Sequence, residues 1–322
     1  MGPTASNILV SGEKPIPRII VGTSRIGTFL PERITPSREK LFRYLDSTLQ
    51  QGCCAFDTAA SYQLGGSERA LGHWIRLRRN REELFLIVKG ANSYPIVRRH
   101  PLRRSIIRSD FDSSLRRLGT DHAELFMLHR DDPTAPLDPV VEALNDLYAA
   151  GKFFAWGVSN WAPDRIQALT ALTASSGLPP IAASSPQFSL AEWVKPPYPG
   201  SSSISGESNR AARAFYRKLQ LPVLAWSPLA QGFLATSAPG GPANYQSAQN
   251  LARKQRTIAL AGKVGVAPSQ IALAYLFNQP FPVFAIVATR RIENVRKNLA
   301  ATSIQLSEAD LTWLERGEQR AA

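Results

Sequence analysis

The feature that most constrains this fold is a repeat of pattern. Eight short apolar runs occur in order, most ending at a polar residue or glycine and leading into residues with helical apolar spacing. The runs are Arg18-Ile19-Ile20-Val21, Cys53-Cys54-Ala55-Phe56, Leu84-Phe85-Leu86-Ile87-Val88, Ala123-Glu124-Leu125-Phe126-Met127-Leu128, Phe153-Phe154-Ala155-Trp156-Gly157-Val158, the weaker Ile181-Ala182-Ala183-Ser184-Ser185, Pro222-Val223-Leu224-Ala225-Trp226 and Val283-Phe284-Ala285-Ile286-Val287. Strands buried on both faces of a parallel sheet read as such continuous runs. Helical spacing follows at Leu41, Leu45 and Leu49, at Leu71, Trp74 and Ile75 with Ser67 as the expected N-cap, and at Phe111, Leu115 and Leu118 before Gly119. Further helices are predicted over about 139–150, from Pro163, and over about 209–219, 251–264, 269–277, 293–301 and 307–316.

Eight strand-then-helix units in 322 residues predict an α/β fold, a (β/α)8 TIM barrel forming one domain over 1–322. A short N-terminal β-hairpin is expected where Ile8-Leu9-Val10 and Arg18-Ile19-Ile20-Val21 flank a turn at Ser11 to Pro15. A doubly wound sheet is the competing arrangement, but no G-x-G-x-x-G follows the first run. Residues 189–208 and 236–246 are rich in Pro, Gly and Ser and are expected as loops, the first on the surface near the barrel mouth.

Composition narrows the functional classes. No apolar run approaches the roughly 18 residues of a membrane helix, and the N-terminus lacks a signal-peptide core, so a cytoplasmic protein without a membrane partner is expected. Cys53 and Cys54 are the only cysteines, and being adjacent they cannot staple distant segments. The balance of 38 Lys+Arg against 25 Asp+Glu gives a net charge of +13, which raises the question of an anionic partner. Many cations fall in Arg76, Arg78, Arg79 and Arg81 and in Arg98, Arg99, Arg103, Arg104 and Arg108, on helices or their flanks. No nucleic-acid motif or interleaved aromatic pattern accompanies them, so solvated helix faces are expected and nucleic acid is not.

The residues that can do chemistry cluster at the carboxyl ends of the strands, the face on which such barrels carry their sites. Asp57, Tyr62, Lys89 and His129 follow strands two, three and four. A phenol with a pKa near 10 is a poor acid at neutrality; a neighbouring ammonium lowers that pKa, and a carboxylate keeps the ammonium charged and aimed. Tyr62 is therefore expected as proton donor, Lys89 as the group that lowers its pKa, Asp57 as the group that orients Lys89, and His129 as a hydrogen-bond donor to a carbonyl oxygen. Donors aimed at one oxygen suit hydride addition to a carbonyl, and since no side chain supplies hydride a nicotinamide is required.

With these residues in view the chain resembles the aldo-keto reductases. The resemblance runs from Gly22-Thr23 to the last helices and rests on Asp57-Thr58-Ala59 with Tyr62 and Gly66-Ser67-Glu68, Lys89-Gly90, Leu128-His129-Arg130, Gly157-Val158-Ser159-Asn160, Gln187, and Trp226-Ser227-Pro228-Leu229 with Gly232. It implies the tetrad Asp57, Tyr62, Lys89 and His129, with Tyr62 the acid in carbonyl reduction. It also implies that Ser159, Asn160 and Gln187 hold the nicotinamide carboxamide and that Trp226 stacks on the ring. By the same resemblance Ser227, Leu229 and Gly232 line the pyrophosphate, and Gly22, Thr23 and Ser24 lie near the nicotinamide ribose. The chain departs from the family at strand eight, with Ile286-Val287-Ala288 where members often have Ile-Pro-Gly. Thr289, Arg290 and Arg291 follow, and Asn294 and Asn298 share a helix face; guanidinium groups pair well with a dianionic phosphate, which predicts NADPH (NADP+) in preference to NADH.

The expected activity is reduction of a small-molecule aldehyde or ketone. Two alternatives stand beside it: a slow or regulatory cofactor-sensing barrel of the same family, and a Schiff-base lyase using Lys89. Phe29, Trp161 and Trp193 are candidates for the substrate wall, with Arg130 and Asp131 at its rim. His73, His100 and His122 lack ligand spacing, and no metal site is expected.

Overall fold

The computed structural model describes residues 16–28, 38–92 and 102–318. Eight parallel strands follow one another in sequence order in a closed barrel. They are β1 (Ile19–Gly22), β2 (Ala55–Ala59), β3 (Phe85–Gly90), β4 (Ala123–Leu128), β5 (Phe153–Ser159), β6 (Ala183–Ser185), β7 (Val223–Trp226) and β8 (Val283–Val287). The helices are α1 (Arg38–Gln50), α2 (Gly66–Arg78), α3 (Arg104–Leu118), α4 (Asp138–Ala149), α5 (Pro163–Thr173), α6 (Arg210–Leu219), α7 (Ala248–Val264), α8 (Pro268–Phe277), α9 (Ile292–Ala300) and α10 (Glu308–Arg316). The barrel expectation is met. The first arm of the expected hairpin, Ile8-Leu9-Val10, lies outside the described residues, as do Phe29, Arg98, Arg99 and His100.

Local chemistry explains most boundaries. Gly119 ends α3 at φ 70°, a left-handed conformation that costs glycine little, and its N–H donates to Leu115 O at 2.8 Å. Proline stands in the first turn of α4 and α5. Ser307 and Asp310 form a reciprocal capping box at the start of α10.

Three expectations need correction. Asp57 lies inside β2, which continues to Ala59 because its backbone keeps pairing with β3 through Ala59–Lys89. Ser67 does not cap α2; the cap is Gly65, and the buried Ser67 hydroxyl donates to Ile26 O at 2.8 Å. The segment 189–208 is not wholly a surface loop, for Ser189, Leu190, Ala191, Ile204 and Ser205 are buried where the segment returns on Gln187.

Packing divides the chain into two compact units, with the boundary between Ser184 and Ser185. The first carries β1 to β5 and α1 to α5. Its core includes Phe111, Phe126 and Phe153, with the first two ring centroids 4.1 Å apart. Helices α2 and α3 approach closely because residue 72 is glycine; a Cβ there would stand 2.4 Å from Arg117 O. The second unit carries α6 to α10, β7 and β8 around Phe188, Tyr216, Tyr275 and Phe281.

Candidate active site

Strand register assembles the site. Asp57 is paired with Ile87, and Lys89, two residues further along β3, shares the face of Ile87. Lys89 is in turn paired with Met127, and His129 stands two residues beyond Met127. Asp57, Lys89 and His129 thus step from strand to strand on one face of the sheet, a placement that follows from the two-residue side-chain period. All three are buried.

Tyr62 reaches this face by a different route. After Ala59 the chain turns through Gln63 (φ 51°), Leu64 (φ 51°) and Gly65 (φ 78°) into α2. Left-handed conformations at Gln and Leu are costly and must be held by their surroundings. The turn is clamped from the side: a Cβ on Gly66 would lie 2.1 Å from Thr28 O, so the 27–28 backbone passes directly against it.

Within the cluster Lys89 Nζ donates to Asp57 Oδ1 at 2.5 Å, and Tyr62 Oη donates to Asp57 Oδ2 at 3.5 Å. Lys89 Nζ lies 5.1 Å from the Tyr62 ring centroid, and the Tyr62 and His129 rings meet edge to face at 5.9 Å. Thr23 fixes the Asp57 backbone, its N–H and its hydroxyl both donating to Asp57 O at 2.9 Å.

Burial dominates the electrostatics. It raises the Asp57 carboxyl against the pull of Lys89. For Lys89 burial disfavours the ammonium, but Asp57 and Tyr62 outweigh it and the pKa is raised. Burial raises the Tyr62 phenol too, and the opposing Lys89 ammonium does not overcome it. The expected net lowering of the Tyr62 pKa is therefore reversed, and the phenol stays protonated at neutrality. Burial, then Lys89 and Arg130, depress His129 well below the usual 6.5, so its imidazole is neutral.

A neutral imidazole has one N–H, and its position depends on the tautomer. The Asn92 amide Nδ2 lies 3.4 Å from His129 Nδ1, so Nδ1 accepts and Nε2 carries the proton. The Asp110 carboxylate accepts from Ala91 N–H at 3.2 Å and supports the positive φ of 58° there. The sequence reading missed both residues. A signal existed for Asp110, which falls on the apolar face of α3 with Ile107, Phe111 and Ser114.

The remaining expected residues fall in two groups. In the first unit, Gly22 is paired with Asp57, and Ser24 O accepts from Gln63 Nε2 at 3.4 Å. Ser159 and Asn160 are buried; Asn160 sits at φ 62° and its Nδ2 donates to Ser159 Oγ at 2.9 Å and to His129 O at 3.3 Å. Trp161 is 1% exposed, beneath the Arg165 guanidinium at 5.4 Å, and Asp131 pairs with Arg165 at 3.0 Å. That burial removes Trp161 as an open substrate wall.

In the second unit Gln187 is fully buried. Its Oε1 accepts from Ser203 Oγ at 2.6 Å and Ser205 Oγ at 3.0 Å, and its Nε2 donates to Ser189 Oγ at 3.0 Å. Most of its amide capacity is thus spent on the 189–205 segment, leaving one Nε2 hydrogen. Trp226 ends β7, half-buried, with the Trp193 ring 5.8 Å away. Ser227, Ala230, Gln231 and Gly232 all take positive φ, Leu229 lies among them, and no atom lies within 4 Å of the place a Cβ on Gly232 would occupy. Thr289 Oγ1 accepts from Arg291 N at 3.2 Å and Asn294 Nδ2 at 3.3 Å. Arg290 and Arg291 are exposed at the start of α9, whereas Asn298 is buried.

The donor set fits a nicotinamide dinucleotide. A protonated phenol, an ammonium and a neutral imidazole converge where an oxygen can accept, and none of them can reduce carbon. Positive φ at Ser227, Ala230, Gln231 and Gly232 and the open space beside Gly232 leave room for a ligand to approach the backbone there. Among the described residues no group of three or more His, Cys, Asp or Glu could hold a metal, and no single helix is long and apolar enough to cross a membrane.

Comparison with known proteins agrees. Residues 18–316 match the model of the aldo/keto reductase family. The 6-dehydroglucose reductase of Agrobacterium fabrum is 25% identical over 96% of this chain and 95% of its own length, and the norsolorinic acid reductase of Emericella nidulans 27% identical over 87% and 72%. A protein of Schizosaccharomyces pombe named a putative voltage-gated potassium channel subunit beta is 27% identical over 78% and 75%. Among solved structures, a thermostable aldo-keto reductase in complex with the inhibitor epalrestat superposes with a TM-score of 0.71, at 25% identity, over 95% of this chain and 97% of that one. An ordered tetrad on a closed parallel barrel and a family match over nearly the whole chain lead to one conclusion: the chain belongs to the aldo/keto reductase family, oxidoreductases that act on carbonyl groups and use nicotinamide cofactors.

Proposed function

We propose that the protein reduces an aldehyde or ketone to an alcohol with NADPH, with Tyr62 as general acid. The observation that carries this reading is the Asp57–Lys89 pair at 2.5 Å beneath a protonated Tyr62 and a neutral His129. When bound, the dinucleotide supplies the hydride. His129 Nε2–H donates to the carbonyl oxygen and orients it, Asn92 holding the tautomer. As negative charge develops on that oxygen, Tyr62 Oη delivers its proton, and Lys89, held charged by Asp57, stabilises the phenolate left behind. Asp57 keeps the ammonium aimed and does not itself transfer the proton.

The cofactor contacts are carried over from the family position by position: Gly22, Thr23, Ser24, Ser159, Asn160, Gln187, Trp226, Ser227, Leu229 and Gly232. NADPH is preferred over NADH because Arg290 and Arg291 are exposed cations beside the N-terminus of α9, with no ion-pair partner among the described residues, and so are available to a phosphate dianion. The Schiff-base alternative fits poorly, since its lysine must lose a proton that Asp57 holds on Lys89. The regulatory alternative has support in the name of the S. pombe relative.

The deciding experiment is Tyr62→Phe. The variant should bind NADPH as the parent does, by quenching of tryptophan fluorescence, and lose about 10²–10⁴-fold in carbonyl reduction rate. An unchanged rate removes Tyr62 from its role, and a parent protein that binds NADPH yet turns over no member of an aldehyde and ketone panel favours the regulatory reading.

A further inference from the structure

The outer face of α2 and α3, far in sequence from any cofactor residue of the second unit, carries a second concentration of charge. A groove of about 430 Å³ is lined by Arg69, Arg76, Ser113, Arg116 and Arg117. Among the described residues no acidic residue lines it. Glu68 is fully buried and bound to Arg117, whose Nε donates to Glu68 Oε2 at 2.5 Å, and Asp112 stands beside Ser113, one helical turn before Arg116. Arg69, Arg76 and Arg116 have no ion-pair partner among the described residues; Arg69 donates to Leu64 O and Arg116 to Ser113 Oγ. Three guanidinium groups without an ion-pair partner among the described residues therefore share one groove, with the buried Glu68 acting on Arg69 at longer range.

The arrangement is built rather than incidental. Gly72 lets α2 and α3 approach until its Cα face meets the Arg117 carbonyl, which brings arginines of both helices around one groove. Arg117 is fixed from below by Glu68 and by Ser114, to whose Oγ its Nη2 donates at 3.2 Å. Arg117 Nε and Arg69 Nη1 stand 2.8 and 3.1 Å from where a Cβ on Gly65 would lie, so these two guanidinium groups cover the same stretch of backbone. Guanidinium forks match phosphate oxygens, and like charges held close are relieved by a polyvalent anion more than by monovalent counterions.

We infer that this groove is a binding site for a soluble ligand bearing two or more phosphate groups, distinct from the proposed cofactor site. Arg117 Nε and Arg69 Nη1 crowd one point over Gly65, a spacing that suits the closely placed charges of a compact polyanion. The site does not depend on the proposed catalytic reading, because none of its residues belongs to the tetrad or to the cofactor set.

The test is isothermal titration of inorganic tripolyphosphate into the full chain saturated with NADPH, so that the cofactor site is filled. Saturable binding near one equivalent is expected, weakening as salt rises. Arg76→Ser combined with Arg116→Ser should weaken it about tenfold or more, the loss expected for charge-assisted hydrogen bonds. Lys40→Ser combined with Lys263→Ser removes the same charge from exposed positions elsewhere and should change affinity less than about twofold. Absence of saturable binding overturns the inference. So does equal weakening by both pairs, which would mean that net charge alone is read, or sedimentation with phosphatidylserine-containing vesicles without tripolyphosphate binding, which would identify a membrane surface instead.

Discussion

Replacing Lys89 by Met isolates the interaction on which the site depends. The substitution keeps the volume of the stem but leaves Asp57, 1% exposed, with no cation at 2.5 Å. An unpaired buried carboxylate escapes its desolvation penalty by taking a proton. Near pH 7, holding Asp57 protonated against its ordinary pKa of 3.8 costs about 4 kcal/mol, at about 1.4 kcal/mol per pH unit. That figure caps the destabilisation and agrees with the ~3–5 kcal/mol typical of breaking a buried pair from one side. The sign follows from proton counting: the folded variant holds one proton more than its unfolded chain, so its stability falls as pH rises above about 4. Urea unfolding followed by tryptophan fluorescence should therefore show Lys89→Met losing about 2 kcal/mol more stability near pH 7 than near pH 5.5, measured against the parent at each pH. Asp57→Asn combined with Lys89→Met removes the charge and should recover most of the loss at the higher pH. A single variant equally stable at both pH values, or a double variant less stable than the single, would refute the reasoning.

The other expectations are narrower. Asn92→Ala should lower kcat about tenfold with little change in cofactor affinity, while Asn92→Gln restores part of it; the histidine nitrogen NMR shifts should report a mixed tautomer in the alanine variant. Because His129 is depressed well below 6.5, its neutral form adds stability that is present above that value and declines as pH falls below it, and the pH–rate profile should show no His inflection near 6.5. Arg290→Ser combined with Arg291→Ser should weaken NADPH about tenfold or more and leave NADH within about twofold, read by fluorescence titration. Gly72→Ala places a Cβ 2.4 Å from a backbone oxygen and should cost about 1–3 kcal/mol in urea unfolding.

Much of the architecture could be read from the chain because the physics that sets it is local. Continuous apolar runs such as Leu84 to Val88 and glycine stops such as Gly119 depend on near neighbours, and both landed where expected. What failed depended on distant partners. Ser67 had the sequence of an N-cap, but the tertiary approach of Ile26 gave its hydroxyl another acceptor. The segment around Ser203 and Ser205 was polar enough to read as surface, and only the buried Gln187 amide explains why part of it is internal.

The candidate site divides along the same line. Which residue types stand at or near the carboxyl ends of the strands could be read from the amino-acid sequence, and with it Asp57, Lys89 and His129 as a candidate set, because a parallel strand carries its side chains at a fixed period; that Asp57 lies inside β2 could not. The protonation states were decided by tertiary structure. Burial is a property of everything packed around a group, so that Tyr62 keeps its proton despite a neighbouring ammonium, that His129 is neutral, and that Asn92 selects its tautomer could be seen only once the strands were closed around them.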